Sequence, residues 1–390
     1  MVQPEAIYDR PIDERHRIIF YVGHLEAFDW NLLSGHCNLA NFNPDFNHLF
    51  ALGIDPVAGN LPSDQPQDWP RPEAVYAYRD QIRARLDAAL ETVQLPDRGE
   101  DSFWHLLNVA VEHRWMHAET LSYMLHQLPF DRKVRRNVRR MLQAGPFKPE
   151  LVRVPAGRAE LGIQRDSGVF GWDNEFEACT AEVPEFSIDR YKVTNGQFRR
   201  FLEEGGYEDR ALWRDVDWEW RNGLGISHPA FWVWRGDGWA YRSMFDEVPL
   251  PLDWPVYVSH AEANAYARWQ GKMLPTEAQW QRAAEGVAAP GEDPPADVWD
   301  PSPVNAGGAG AIEGLFANGW EWTATEFAPF PGFRPMACYP GYSANFFDGK
   351  HYVLKGGSVR TASSMLRPSF RNWFQPWYQY VYAGFRCVSV

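Results

Sequence analysis

Cysteine is scarce and scattered in this 390-residue chain. Cys37, Cys179, Cys338 and Cys387 form no CxxC pair, so neither a zinc knuckle nor a disulfide framework is indicated. No apolar run approaches the roughly 20 residues that a membrane-spanning helix needs. Basic residues are outnumbered, 38 against 51 acidic ones, and the net charge of −13 argues against nucleic acid, whose binding needs a basic surface. There is no phosphate loop and no GxGxxG, so nucleotide binding has no motif to rest on. The opening "MVQPEAIYDRPIDERHR" is charged and contains prolines, unlike a signal peptide. These absences lead to the expectation of a soluble, cytoplasmic protein in a reducing setting, with no nucleic-acid or membrane partner. They leave the oligomeric state open.

What the chain has in excess is aromatic. Phe, Trp and Tyr make up 15% of it, with 19 tryptophans, and 31 glycines and 30 prolines point to much irregular but ordered backbone. The length suffices for two or three domains. Residues 12–143 read as helical. Apolar residues recur at helical spacing from Ile18 to Leu33, "PEAVYAYRDQIRARLDAALETV" opens with Pro72 near its first turn, and "DSFWHLLNVAVEHRWMHAETLSYMLHQLP" has Asp101 or Ser102 as N-cap and Pro129 as its stop. "RKVRRNVRRMLQ" is read as a fourth helix, basic on one face, and residues 42–72 as a proline-rich excursion. Near residue 150 the pattern changes. Short runs such as "LVRVP", "FSIDRYKVT", "WPVYVS" and "HYVLKGGSV" alternate with loops rich in Gly, Pro and Trp, interrupted by helical pieces in "TNGQFRRFLEEGG" and "SHAEANAYARWQG". The expectation is a helical bundle over residues 1–148 followed by an α+β domain over 149–390.

The stretch "EHRWMHAETL" places His113 and His117 four residues apart. On a helix, such residues sit one above the other, so both imidazoles can reach one ion. Two ligands are too few for a stable site. The first helix offers His24 as a third, with His16 two turns earlier on the same face as its competitor. From the residues alone both stay open, as does the reading of all of them as ordinary core or surface histidines.

The stretches "FSIDRYKVTNGQFRRFL", "LPLDWPVYVSHAEANAYARWQGKMLPTEAQWQRAAEG", "ANGWEWTATEF", "VLKGGSV", "FRNW" and "YAGFRCV", in that order, resemble the formylglycine-generating-enzyme-like fold. Preceded by an HxxxHxE helix, they make the whole chain similar to the ergothioneine-biosynthesis-type sulfoxide synthases and the related selenoneine synthases. The resemblance implies the class α plus α+β: an N-terminal DinB-like four-helix bundle, then a C-type-lectin-like domain with little regular structure that closes the active site. It implies Fe(II) held by His24, His113 and His117, with His16 excluded. The implied reaction is O2-dependent coupling of a sulfur or selenium donor to the imidazole C2 of hercynine (N-trimethylhistidine). Three imidazoles would leave about three positions of an octahedral ion for O2 and substrates. Glu119 cannot share the ligand face, and is either a packing carboxylate or an acceptor that orients a ligand ring.

Residue by residue, the stretch "CYPGYSANFF" makes Tyr339 and Tyr342 the catalytic-tyrosine candidates, since a phenol with a pKa near 10 keeps its proton at neutral pH and can deliver it. "FRNW" offers Asn372 to hydrogen-bond the imidazole and Trp373 to face a trimethylammonium group. The γ-glutamylcysteine-using pattern has an acidic residue after "RNW" and a glutamine before the second helix histidine. This chain has Phe374 and Met116 there. An apolar wall cannot pair an ammonium group, so the expected donor is a selenosugar, with cysteine next and γ-glutamylcysteine last. Arg79, Arg83 and Arg85 either bind a donor carboxylate or form a solvated helix face. A formylglycine-generating activity would need a close cysteine pair, which Cys338 and Cys387 do not make. A non-catalytic binding module is the reading of another class.

Overall fold

The computed structural model describes residues 1–52, 61–94, 98–99, 102–307 and 310–389. The chain divides into two compact units, Met1–Arg136 and Asn137–Val390. Among the described residues no helix is long and apolar enough to cross a membrane.

Among the described residues the first unit has four α-helices: α1 (Ile18–Leu33), α2 (Pro44–Leu52), α3 (Pro72–Leu90) and α4 (Phe103–Gln127). α1 packs against each of the other three and is buried on most of its circumference, from Ile18 and Ile19 to Trp30 and Leu33. α3 starts on Pro72, where a missing N–H costs nothing. α4 starts on Ser102, whose side chain accepts from the His105 N–H; Asp101, the alternative cap, lies outside the described residues.

The expected fourth helix over residues 132–143 is absent. Apart from the short 3₁₀ turn Phe130–Arg132, that stretch runs without helix because its groups bond elsewhere. Lys133 forms a bridge with Val2 and reaches the His126 carbonyl at 3.2 Å, and the Val134 N–H donates to the Met1 carbonyl at 2.9 Å. In the second unit, Arg139 N–H bonds the Asp297 carbonyl, and Arg140 is tied to Asp300 and Asp246. The helix that completes the unit is α2, inside the stretch read as an excursion. Its signal was present: Asn43 caps the Phe46 N–H at 3.1 Å, and Pro44 follows at the first helical position.

The second unit contains β1 (Leu151–Val154), β2 (Gly157–Leu161), β3 (Cys179–Val183), β4 (Phe186–Asp189), β5 (Trp232–Trp234), β6 (Trp239–Arg242), β7 (Glu247–Pro249), β8 (Gly319–Glu326), β9 (Tyr352–Gly357), β10 (Asn372–Phe374), β11 (Ala383–Gly384) and β12 (Val388–Ser389). They form small sheets ordered β1-β4-β12, β10-β9-β8-β11, β2-β3 and β5-β6-β7. The helices are α5 (Asn195–Glu203), α6 (Asp215–Leu224), α7 (His260–Trp269) and α8 (Glu277–Ala283). α5 and α7 match the two helical pieces read from the sequence. α6 and α8 were not read, although α8 opens on a Thr276/Gln279 capping box, a sequence-level signature. "WPVYVS" is not a strand. Its backbone is satisfied by two different segments, Val256 N–H by Val193 and Val258 N–H by Ala383, so no ladder forms.

Two buried charge clusters join the sheets. Glu321 on β8 accepts from Lys192 at 2.6 Å, from both sides of the Arg386 guanidinium at 2.7 and 2.8 Å, and from the Trp280 indole at 3.2 Å. Arg386 also donates to the carbonyls of Asp189, Arg190 and Glu313. Glu277 on α8 receives Arg371 at 3.0 and 3.2 Å, with Lys355 at 3.6 Å.

Removing one partner of a buried pair leaves the other charge stranded, at a cost of about 3–5 kcal/mol. Glu321→Ala should therefore lower the denaturant midpoint of the second unit by that order, whereas Glu182→Ala, in a surface pair with Arg158, should leave it in place. Burial alone would push the Glu321 carboxyl up, but Arg386 and Lys192 outweigh it and hold it below its ordinary value. Its contribution is present above the unfolded carboxylate value of about 4.3 and is lost as pH falls through the lower folded one. Midpoints in wild-type protein should accordingly drop below about pH 4, and in Glu321→Ala this part of the acid loss should vanish.

Candidate metal centre

In the first unit, α4 carries His113 and His117 one turn apart, and α1 brings His24 to the same point. Each offers one ring nitrogen, and the three lie within 4.8 Å of one another. His24 Nε2 is 3.1 Å from His117 Nε2, and His117 Nε2 is 3.1 Å from His113 Nε2. Among the described residues this is the one group of three or more ligand-type side chains arranged this way. His16 is not in it; its ring packs on Phe20 at 4.2 Å.

The rings are fixed from behind. Phe20 stacks on His24 at 4.6 Å, Phe28 stacks on His113 at 3.5 Å and 13°, and Tyr21 lies against His117 at 5.5 Å. His24 Nδ1 is 2.7 Å from the Phe50 carbonyl oxygen. A carbonyl can only accept, so Nδ1 carries the proton and Nε2 keeps its lone pair toward the other two histidines. Burial lowers the His24 pKa to about 4. Burial first, then the neighbouring imidazoles, take His113 and His117 well below the ordinary histidine value. Part of His117 reaches the surface, yet its Nδ1 is covered and lacks a hydrogen-bond partner. All three are neutral imidazoles at pH 7, the form that binds metals.

These residues fit an ion of the kind implied by the resemblance. With metal–nitrogen bonds of about 2.0–2.1 Å, ligands at right angles sit about 2.9 Å apart and tetrahedral ones about 3.4 Å, and the observed 3.1 Å falls between. Three imidazoles suit iron, and also zinc, copper or nickel. The donor set fits iron without selecting it.

A charge network sits beside the triad. Glu26 and Asp29, buried on α1, pair with Arg83 of α3 at 2.5 and 3.1 Å and with Arg114 of α4 at 2.7 Å each. The network ties three helices together at the level of His24 and His113. A donor carboxylate would have to compete with both acids for Arg83. Arg79 is half-buried and pairs with its neighbour Asp80. Met116 is half-buried on α4, and Glu119 is buried but outside the nitrogen cluster.

In the second unit, the tyrosine and "FRNW" stretches meet in one aromatic cluster. Trp373 stacks on Phe327 at 4.3 Å and meets Tyr342 edge-on at 5.2 Å. Tyr342 lies 5.7 Å from Tyr339, whose phenol burial pushes up from its ordinary value. Strand alternation along β10 turns Phe374 to the face opposite Trp373, where it stacks on Tyr378 at 4.9 Å. Asn372 accepts from the Trp373 N–H at 2.9 Å.

Sequence reasoning missed the short turn that organises this cluster. Trp172 stacks on Tyr342 at 4.0 Å, and Asp173 accepts from the Ser343 hydroxyl. Glu175 holds Arg367 and Ser369, and the Asn174 carbonyl accepts from Arg371 at 3.1 Å. Two acids beside a tryptophan in "GWDNEF" are the only sequence trace of it.

Comparison with known proteins bears on both units. The family described as "Sulfatase-modifying factor enzyme 1-like domain" matches residues 140–390. The chain is 38% identical over 248 residues to hercynine oxygenase of Mycobacterium tuberculosis, covering 58% of this chain and 57% of that protein. It is 39% identical over 252 residues to hercynine oxygenase of Mycolicibacterium thermoresistibile, covering 58% and 55%. Along its whole length it is 27% identical to ergothioneine biosynthesis protein 1 of Neurospora crassa, 55% of which is covered. The chain thus spans little more than half the length of these relatives. With the match running over well more than half of its residues, this chain belongs to the sulfatase-modifying factor enzyme 1-like family.

Proposed function

We propose that this chain is a mononuclear non-heme iron oxidoreductase that uses O2 to join sulfur or selenium to the imidazole C2 of hercynine, in ergothioneine or selenoneine biosynthesis. The observation that supports it most is the convergence of three neutral imidazoles within 4.8 Å, with His117 Nε2 3.1 Å from the Nε2 of both His24 and His113, in a chain similar along its length to a protein named for ergothioneine biosynthesis. The reaction balances. An imidazole C–H and a thiol or selenol hydrogen are lost, a C–S or C–Se bond forms, and O2 supplies the oxide of the product and one water.

His24, His113 and His117 of a DinB-like bundle are the proposed holders of Fe(II), which when bound supplies one-electron chemistry with O2. Tyr339 and Tyr342 are the proposed proton donors, and the raised Tyr339 value keeps that phenol protonated at neutral pH. Asn372 would orient the hercynine ring and Trp373 face its trimethylammonium group. Phe374 and Met116 leave a donor's ammonium group without a carboxylate or amide. An unpaired buried charge costs several kcal/mol, which favours a selenosugar, then cysteine, over γ-glutamylcysteine. A cytoplasmic location belongs to the same proposal.

Anaerobic reconstitution followed by iron analysis tests the metal centre. Alanine at His24, His113 or His117 should abolish iron uptake, and His16→Ala should retain it; the reverse pattern for His16 and His24 would show the ligand set to be wrong. The reaction is tested by mixing Fe(II)-loaded protein with hercynine and equal amounts of selenosugar, cysteine and γ-glutamylcysteine, then admitting air. Mass spectrometry should find the selenosugar-derived product in excess. No coupled product from any donor, with iron intact, would rule the activity out, and a preference for γ-glutamylcysteine would overturn the reading of Phe374 and Met116.

A further inference from the structure

Gly23 stands in the middle of α1, where glycine costs roughly 0.5–1 kcal/mol of helix stability relative to alanine. Its backbone is ordinary helix, so conformational freedom does not explain it. Space does. A Cβ built on Gly23 would overlap the Phe50 ring, coming within 2.5 Å of Cγ and 2.6 Å of Cε1. The Phe50 ring has no room to retreat. It is fully buried, against Phe46 at 5.5 Å, Tyr78 at 5.8 Å and Trp69 at 6.2 Å. Only a glycine lets α2 approach α1 this closely.

That approach delivers a backbone group. Phe50 lies on α2 (Pro44–Leu52), and the group that it brings to α1 is its carbonyl. The Phe50 carbonyl spends itself on His24 Nδ1 at 2.7 Å. The residue beside the ligand and the residue behind it are thus coupled by one contact.

We infer that Gly23 and the Phe50 carbonyl are positioning elements of the metal centre: by seating α2 against α1, Gly23 fixes His24 in the tautomer and ring orientation that present Nε2 to the ion. The inference rests on the metal-site reading and adds α2 to it. A carbonyl acceptor on the remote nitrogen both sets the tautomer and raises ligand basicity, and losing such a partner typically weakens metal binding by about 10- to 100-fold.

The test titrates full-length protein with Co(II) and follows its visible absorption bands, with helix content recorded by circular dichroism. Gly23→Ala should keep or slightly raise helix content, yet bind Co(II) about 10- to 100-fold more weakly. Gly23→Ala/Phe50→Ala should recover much of the loss, since alanine removes every ring atom that the new Cβ meets while the carbonyl belongs to the backbone. Wild-type affinity in Gly23→Ala, or no recovery in the double variant, would overturn the inference. Should Gly23→Ala not fold, wild-type protein decides: long-range 1H–15N spectra of the metal-free form should show His24 protonated at Nδ1, and an Nε2-protonated ring would overturn it. A wild type that takes up no Co(II), or a His113→Ala variant that binds it equally well, would instead strike at the metal-site reading, and the tautomer spectra would still judge the contact.

Discussion

A carboxylate is tolerated in a protein interior when a cation is buried with it, and that constraint organises the second unit. Glu321 sits on β8 with no exposure. Its partners come from far along the chain: Lys192 just after β4, Arg386 between β11 and β12, Trp280 from α8. Arg386 then reaches back to three carbonyls around residues 189–190 and 313. A segment placed wrongly would leave Glu321 unpaired. Short strands and long loops carry little register information of their own, so this cluster supplies what regular ladders supply in other folds.

The same logic recurs in smaller form. Glu277 gathers Arg371 and Lys355, and Arg371 also lies over Phe330 at 4.1 Å. That anchors the residue just before Asn372 and Trp373. Glu175 gathers Arg367 and Ser369 next to Trp172. The aromatic cluster around Tyr342 therefore stands on buried charge pairs. In the first unit Glu26 and Asp29 clamp Arg83 and Arg114, joining α1, α3 and α4 beside the histidines. Ring stacking by Phe20 and Phe28 then removes the remaining rotational freedom of His24 and His113.

Much of this was legible before the structure. Amphipathic spacing and end signals located α1, α3 and α4, because those helices are long and their caps are local. The pair His113/His117 was legible for the same reason, since the i, i+4 relation is fixed by helix geometry. The motif stretches were legible as a set, and three of them, "FSIDRYKVT", "ANGWEWTATEF" and "YAGFRCV", turn out to contribute Lys192, Glu321 and Arg386 to one cluster. Two of the errors were of one kind, whereas α2 and α8 were passed over although their start signals are local. Residues 132–143 have helix-compatible composition, but their partners lie at Met1, His126, Asp297 and Asp300. "WPVYVS" has strand composition, but it bonds two segments that are not strand neighbours. Local preference lost to distant hydrogen bonds in both.

By itself the sequence determined what depends on neighbours along the chain: helix existence, the turn-spaced histidine pair, the change of character near residue 150, and the absence of motifs for nucleotide, nucleic acid or membrane. Only the tertiary structure decided which histidine joins that pair. His16 and His24 stand eight residues apart, the spacing of two helical turns, and periodicity cannot separate them, although α1 begins only at Ile18 and leaves His16 outside it. The packing of α1 against α4 does, by putting His24 Nε2 3.1 Å from His117 while His16 rests on Phe20. The turn at Trp172–Glu175 was likewise beyond reading. Its contacts to Tyr342, Ser343 and Arg367 span some 170 to 190 residues, and no local pattern encodes a distance of that kind.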